Sequence, residues 1–219
     1  MKAFAVMGAI LGLAGCATPV VMISKDYYAQ PIQRAAYVGF NDADNADNSG
    51  SQVEGVFARY LINMPYTLMG LDEAQQAIAS RQLTLGNLQD PSDNVRLGKL
   101  LGVDAVISGW ISEYTDTSEA TVIVDEPQTE TETDVRGVRH PHVVTQTVTT
   151  DNYVPETETL PARVSLGVHL VSVKTGEVLW SDSYTSDGAA LSDATENAAR
   201  EMTQTLQEDL ANHKITAKN

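Results

Sequence analysis

The sequence predicts an α/β (α+β) fold: a single domain with a mixed β-sheet flanked by helices, plus a protruding acidic, threonine-rich hairpin or loop. Three observations carry that expectation. Residues 95–114, VRLGKLLGVDAVISGWISEY, read as a helix stopped by Gly102 and followed by a strand apolar on both faces. The elements up to that point run strand, helix, strand, helix, helix, strand, the order of a sheet with helices packed against it. Residues 115–161 then break the composition, with ten acidic residues, two arginines and twelve threonines, before regular alternation resumes at Arg163.

Within residues 95–114, Leu97, Leu100 and Leu101 fall three and four apart, as one helix face requires, and Gly102 stands where a left-handed C-cap is needed. Beyond it, Val103, Ala105, Ile107 and Ile111 take one side-chain parity while Val106 and Trp110 take the other. A strand apolar on both parities belongs in the middle of a sheet covered on both sides. Gly109 beside Trp110 implies close approach of something large. Asp104 and Glu113 are the only reactive groups in the stretch.

The chain of 219 residues, 42% hydrophobic, is long enough for one domain with a substantial core. Acidic residues outnumber basic ones 29 to 14, for a formal net charge of -15. No cluster of Lys and Arg appears, which argues against nucleic acid as a partner. Cys16 is the single cysteine, so no internal disulfide can form.

At the N-terminus, Met1-Lys2 precedes an apolar run over residues 3–13, of signal-peptide length and short of the roughly 20 residues that span a bilayer. The run closes on Leu13-Ala14-Gly15-Cys16. This box resembles the bacterial lipoprotein signal, cut before the cysteine as its thiol is joined to diacylglycerol. The resemblance implies residues 1–15 as signal peptide and Cys16 as the lipid attachment site, carrying covalent diacylglycerol and acyl chains. Each buried methylene contributes about 0.8 kcal/mol, so several chains hold a protein at a membrane. Ala17 stands where an aspartate would imply inner-membrane retention, so the implied address is the periplasmic face of the outer membrane.

Residues 16–33 read as a lipidated tether, interrupted by Pro19 and Pro31, with an apolar island at 20–23 suited to docking on the domain or a neighbour. The domain is expected over 34–212, opening with a strand at 35–40. The Asp- and Asn-rich loop that follows places Asp47, Ser49 and Gly50 as a calcium loop would, but Val56 occupies the closing position where Glu is needed. Ser51-Gln52-Val53-Glu54 instead has the form of a capping box. Val53, Val56, Phe57, Tyr60 and Leu61 then mark a core-facing helix stopped by Pro65. A short strand at 66–69 precedes a second helix capped by Asp72, with Ala74, Ala77 and Ile78 as its stripe. Residues 83–88 read as a linker, and Ser92 as the cap of the third helix.

In the insertion, 129–135 and 143–150 alternate as strands around a turn at 137–142. One face carries Thr129, Thr131 and Thr133, the other Gln128, Glu130, Glu132 and Asp134, so neither could meet lipid. His140-Pro141-His142 is an incomplete metal set, since tetrahedral sites take three or four ligands. From Arg163, Val164, Leu166, Val168 and Leu170 alternate with smaller residues. Lys174-Thr175-Gly176 turns, and Val178 and Trp180 return, a hairpin whose Gly176 supplies the positive φ. His169 lies among apolar neighbours with no nucleophile in recognisable context, as a structural histidine does. Leu191, Thr195, Ala198, Met202 and Leu206 mark a long amphipathic helix, followed by a frayed tail at 213–219.

Two stretches together resemble a family. Gly98-Lys99-Leu100-Leu101-Gly102-Val103-Asp104-Ala105-Val106-Ile107-Ser108-Gly109, and Val173-Lys174-Thr175-Gly176-Glu177-Val178-Leu179-Trp180-Ser181, look like the CsgG-type envelope lipoproteins. That family includes the curli-export channel subunit and relatives whose soluble domain activates a cell-wall synthase. The resemblance implies a mixed sheet flanked by helices and a homo-oligomeric ring as one assembly open to the soluble domain. The channel members add two membrane-crossing hairpins per subunit; this chain has one insertion, polar on both faces.

The expectation is therefore a non-enzymatic outer-membrane lipoprotein whose periplasmic domain binds or assembles envelope proteins. The alternative is a subunit of a curli-type export channel. No catalytic, cofactor-binding or metal residues are assigned, because neither a nucleophile-base set nor a ligand set can be assembled.

Overall fold

A computed structural model describes residues 21–29, 32–80, 87–136 and 142–216, with side chains left aside over 133–144 and 212–216. In chain order the elements are β1 (Met22–Ile23), α1 (Lys25–Ala29), β2 (Arg34–Asn41), α2 (Ser49–Leu61), β3 (Thr67–Met69), α3 (Leu71–Ser80), α4 (Pro91–Leu101) and β4 (Ala105–Thr115). There follow β5 (Ser118–Asp125), β6 (Gln128–Arg136), β7 (His142–Thr150), β8 (Tyr153–Leu160), β9 (Ala162–Ser172), β10 (Val178–Gly188) and α5 (Leu191–Thr216).

Six strands form a mixed sheet in the order β1-β10-β9-β4-β2-β3. β2 runs parallel to β3 and β4, and the other neighbours are antiparallel. β4 thus lies inside the sheet, as its two-sided apolar pattern predicts, with Val106 fully buried and Trp110 half-buried. One face carries Ala105, Ile107 and Ile111 against Val53, Phe57 and Leu61 of α2 and Ala198, Met202 and Leu206 of α5. The other carries Val106 against Ala74 and Ile78 of α3 and Leu97 and Leu101 of α4. Full burial of a side chain such as Leu, Ile or Phe contributes about 1.5–3 kcal/mol, so these two layers hold the sheet between them. Val103 departs from its expected parity. It precedes the strand, in the turn after Gly102, and packs with the α3 and α4 layer.

Two glycines let aromatic rings lie on the strands. A Cβ at Gly109 would stand 2.2 Å from the Phe40 ring, and one at Gly167 2.2 Å from the Trp110 indole. The large group over Gly109 is therefore Phe40 of the neighbouring strand, while Trp110 covers Gly167 opposite it in register.

The helix starts differ from expectation in their chemistry. Gly102 caps α4 as predicted, at φ 69° with its N–H on the Gly98 carbonyl. The N-cap of α4 is Asp90, whose carboxylate accepts from Ser92 N at 2.8 Å; Ser92 lies inside the helix, after Pro91 at its first position. At α2 the capping box does not form. Asp42, from the loop before, accepts from Asn48 N at 3.1 Å and Gly50 N at 2.7 Å, and Glu54 turns instead to Phe40 N at 3.4 Å. Asp72 lies within the first turn of α3, where its charge complements the helix dipole, and does not cap it.

The segment expected as a tether is partly folded. Met22 and Ile23 pair with Ser181 and Trp180 at the sheet edge, so the apolar island docks on the domain itself, and Tyr27 of α1 is buried. Gly176 takes φ 77° in the β9–β10 turn as expected. The last helix runs to Thr216, past the expected end at 212.

Candidate functional site

β4 and β9 do not stop at the edge of the core. Their continuations form a two-stranded antiparallel arm, β5 with β8 and then β6 with β7, in sheets that include no other strand. At about 3.3 Å per residue, Ser118 to Arg136 has a contour length of roughly 60 Å. The expected strand pair at 129–135 and 143–150 is β6 and β7; its turn, with His140 and Pro141, lies outside the described residues. The β5–β8 pair was not expected. Pro127 and Pro155 break the pattern that would have disclosed it, although ATVIV at 120–124 is a strong strand former.

Register sorts the arm's faces. Thr129 lies opposite Thr149 and Thr131 opposite Thr147, so one face of the outer half carries a threonine ladder. The other sets Glu130 against Val148 and Glu132 against Gln146. Cross-strand pairs of this kind contribute roughly 0.2–1 kcal/mol each, and a lone two-stranded ribbon is marginal in water. The inner half leaves large apolar groups in solvent: Ile123 is 73% exposed and Tyr153 67%. An uncovered ribbon with exposed Ile and Tyr is a surface that a partner would complete.

The interior offers structural chemistry. His169 is buried, its Nε2 lying 2.8 Å from the Leu88 carbonyl and 2.9 Å from Asn94 Nδ2. Burial depresses its pKa, with the Leu88 contact acting the other way. The same carbonyl accepts from Ser108 Oγ at 3.0 Å and Asn94 Nδ2 at 3.0 Å. Leu88, expected in a linker, is thus a buried hub that ties the segment before α4 to β4 and β9. Asp104 Oδ2 accepts from Gln33 N and Arg34 N at 3.0 Å each, fixing the entry to β2. Glu113 pairs with Arg163 at 3.4 Å. His169, Asn94 and Ser108 thus meet at one carbonyl, with Ser108 opposite His169 in register, whereas Asp104 and Glu113 lie elsewhere on β4 and its approach.

Sequence reasoning missed Asp182. It lies on β10 opposite Val168, on the face covered by α5, is 1% exposed, and neither oxygen has a hydrogen-bond partner among the described residues. Burial raises its pKa to about 6, opposed in part by the nearby Ser183 amide. Its position in the alternation opposite apolar residues was the available signal.

Cys16, the expected lipid attachment site, lies outside the described residues. Among the described residues no three His, Cys, Asp or Glu side chains are grouped to hold a metal, and no helix is long and apolar enough to cross a membrane.

No family model matches this sequence, and no curated protein matches it. Solved structures to which the chain shows some similarity include the lipoprotein GNA1162 from Neisseria meningitidis, at 14% identity, 82% of this chain, 99% of that chain and a TM-score of 0.46. The LpoB C-terminal domain from Salmonella enterica is 14% identical over 71% of this chain and 83% of that one, with a TM-score of 0.41. The PelC dodecamer from Paraburkholderia phytofirmans is 13% identical over 85% of this chain and 91% of that one, also at 0.41.

Proposed function

We propose that this chain is a non-enzymatic lipoprotein, held by acyl chains on Cys16 at the periplasmic face of the outer membrane, that binds or assembles other envelope proteins through its arm. The observation that carries the reading is the arm itself: a two-stranded ribbon that gains no third strand among the described residues, rooted in the central strands of the core. Kinship with CsgG-type lipoproteins is supported by the packing of the two stretches that resemble them. Val173 N–H donates to the Asp104 carbonyl at 2.9 Å, and the Val173 side chain fills the space where a Cβ on Gly98 would fall, 2.1 Å from its Cγ2. The channel alternative finds less support, because the threonine ladder on one face and the glutamates on the other give no lipid-facing surface.

Fractionation tests the anchoring. The parent chain stays with outer-membrane vesicles through salt and carbonate washing, and Cys16→Ala is released. A Cys16→Ala protein that remains bound after both washes contradicts the lipid anchor. Detergent-extracted protein that forms a ring with a membrane barrel would favour the channel.

A further inference from the structure

We propose that the outer edge of β5 is a docking strand, to which an extended cationic segment of another envelope protein adds as a third strand of the arm. The inference rests on the reading of the chain as a binding lipoprotein and specifies the edge and the chemistry of its partner.

Backbone direction follows from one hydrogen bond. Glu126 N–H donates to the Asn152 carbonyl at 2.9 Å, and this pair continues the register in which Asp125 lies opposite Tyr153. In an antiparallel ladder, bonded pairs alternate with pairs whose N–H and C=O point outward. Ala120, Val122 and Val124 therefore bond inward to β8, while Glu119, Thr121, Ile123 and Asp125 turn their backbone groups away from the ribbon. Pro155 lies opposite Ile123, in the outward set, where its missing N–H costs the ribbon nothing. The same proline interrupts the outer edge of β8 in mid-strand, the usual device for blunting an edge. β5 has no such block. Its ATVIV core has the β-branched composition that pairs readily when left open.

Charge selects the occupant. A ring of arms would join the β5 edge of one copy to the β8 edge of the next, against Pro155 and between ribbons that each carry ten acidic residues and two arginines over 115–161. A cationic strand meets neither obstacle. On one face it would lie beside Glu119, Ile123 and Asp125, of which Ile123 is 73% exposed; on the other it would lie beside half-buried Ala120, Val122 and Val124. The fitting segment alternates β-branched residues with Lys or Arg, so that main-chain bonds supply affinity and the alternate side chains supply selectivity.

The test uses the full-length chain and a fluorescent peptide of alternating lysine and valine, matched to the 8 residues of β5, with a glutamate–valine peptide as comparison. Ile123→Pro removes an outward N–H and the exposed Ile123 side chain but no bond to β8, so circular dichroism should retain the arm while anisotropy shows affinity for the lysine–valine peptide reduced about tenfold or more. If that variant loses the arm, the pair Glu119→Lys with Asp125→Lys decides, and the same loss of affinity is expected. Unchanged affinity in a folded Ile123→Pro or in the charge-reversed pair overturns the proposal, as does equal binding of the glutamate–valine peptide. Self-association of the purified chain that Ile123→Pro abolishes assigns the edge to a second copy and also overturns it. In cells, capture of an envelope protein from the arm that persists in Ile123→Pro removes strand addition while leaving the binding function intact; absence of capture by the parent chain defeats that function itself.

Discussion

Asp182 and His169 are buried groups whose titrations act in opposite directions. With its pKa raised from 3.8 to about 6, Asp182 holds a proton in the folded chain where the unfolded chain has released it. Stability therefore falls as pH rises from about 4 to about 6, and above 6 the whole cost of a buried carboxylate is present. His169, depressed below its ordinary 6.5, stays neutral while the unfolded chain protonates, so its contribution is present above about 6.5 and is lost on acidification. Asp182→Asn should gain roughly 1–2 kcal/mol at pH 8 in urea melts, the gain shrinking towards zero near pH 4. A gain of equal size at every pH would mean that the carboxylate charge is not the cause. The two strand glycines make a second comparison. Phe40 is 6% exposed and packed 5.1 Å from the Phe57 ring, whereas Trp110 is half-buried with part of its indole towards solvent. Gly109→Ala should thus cost about 2–3 kcal/mol and Gly167→Ala about 1 kcal/mol, by overpacking, in the same melts.

At the scale of elements, the start of α2 separates two accounts of one sequence. Asp42 accepts two N–H groups of that first turn, whereas Ser51 Oγ donates to the Asn48 carbonyl at 2.8 Å and leaves no N–H dependent on it. Asp42→Ala should cost about 1–2 kcal/mol and Ser51→Ala less than about 0.5 kcal/mol; a capping box would reverse that order in thermal unfolding. The apolar periodicity of α2, α4, β4, β9 and α5 was legible because each buries a regular stripe, and Gly102 and Gly176 because their turns require positive φ. The caps were not, since Asp42 lies seven residues before Ser49, the first residue of α2, and only folding brings it to the helix. Leu88 escaped for a related reason, since its partners Ser108 and His169 lie on β4 and β9, whereas Asp182 stood in the expected β9–β10 hairpin and its alternation opposite Val168 was the signal that went unread. β5 and β8 were hidden by the same prolines that shape the arm's edges.

At the scale of the molecule, the core and the arm are separable. β4 and β9 pair as far as Thr115 with Arg163, so a two-residue Asn-Gly turn could close them without the arm. Replacing 118–160 in this way should leave a cooperative thermal transition within a few degrees of the parent, because no arm side chain belongs to either buried cluster. The proposed tether is short by comparison. Five residues lie between Cys16 and Met22, at most roughly 20 Å of chain, against roughly 60 Å for the arm. A lipid at Cys16 would keep the sheet near the membrane and leave the arm as the part able to reach a partner. Photo-crosslinking in intact cells, from Thr147 on the arm and from Glu208 on α5 as a surface control, measures this most directly. The account predicts a discrete adduct with another envelope protein from Thr147 alone. Adducts of equal yield from both positions, or none from the arm, would contradict it.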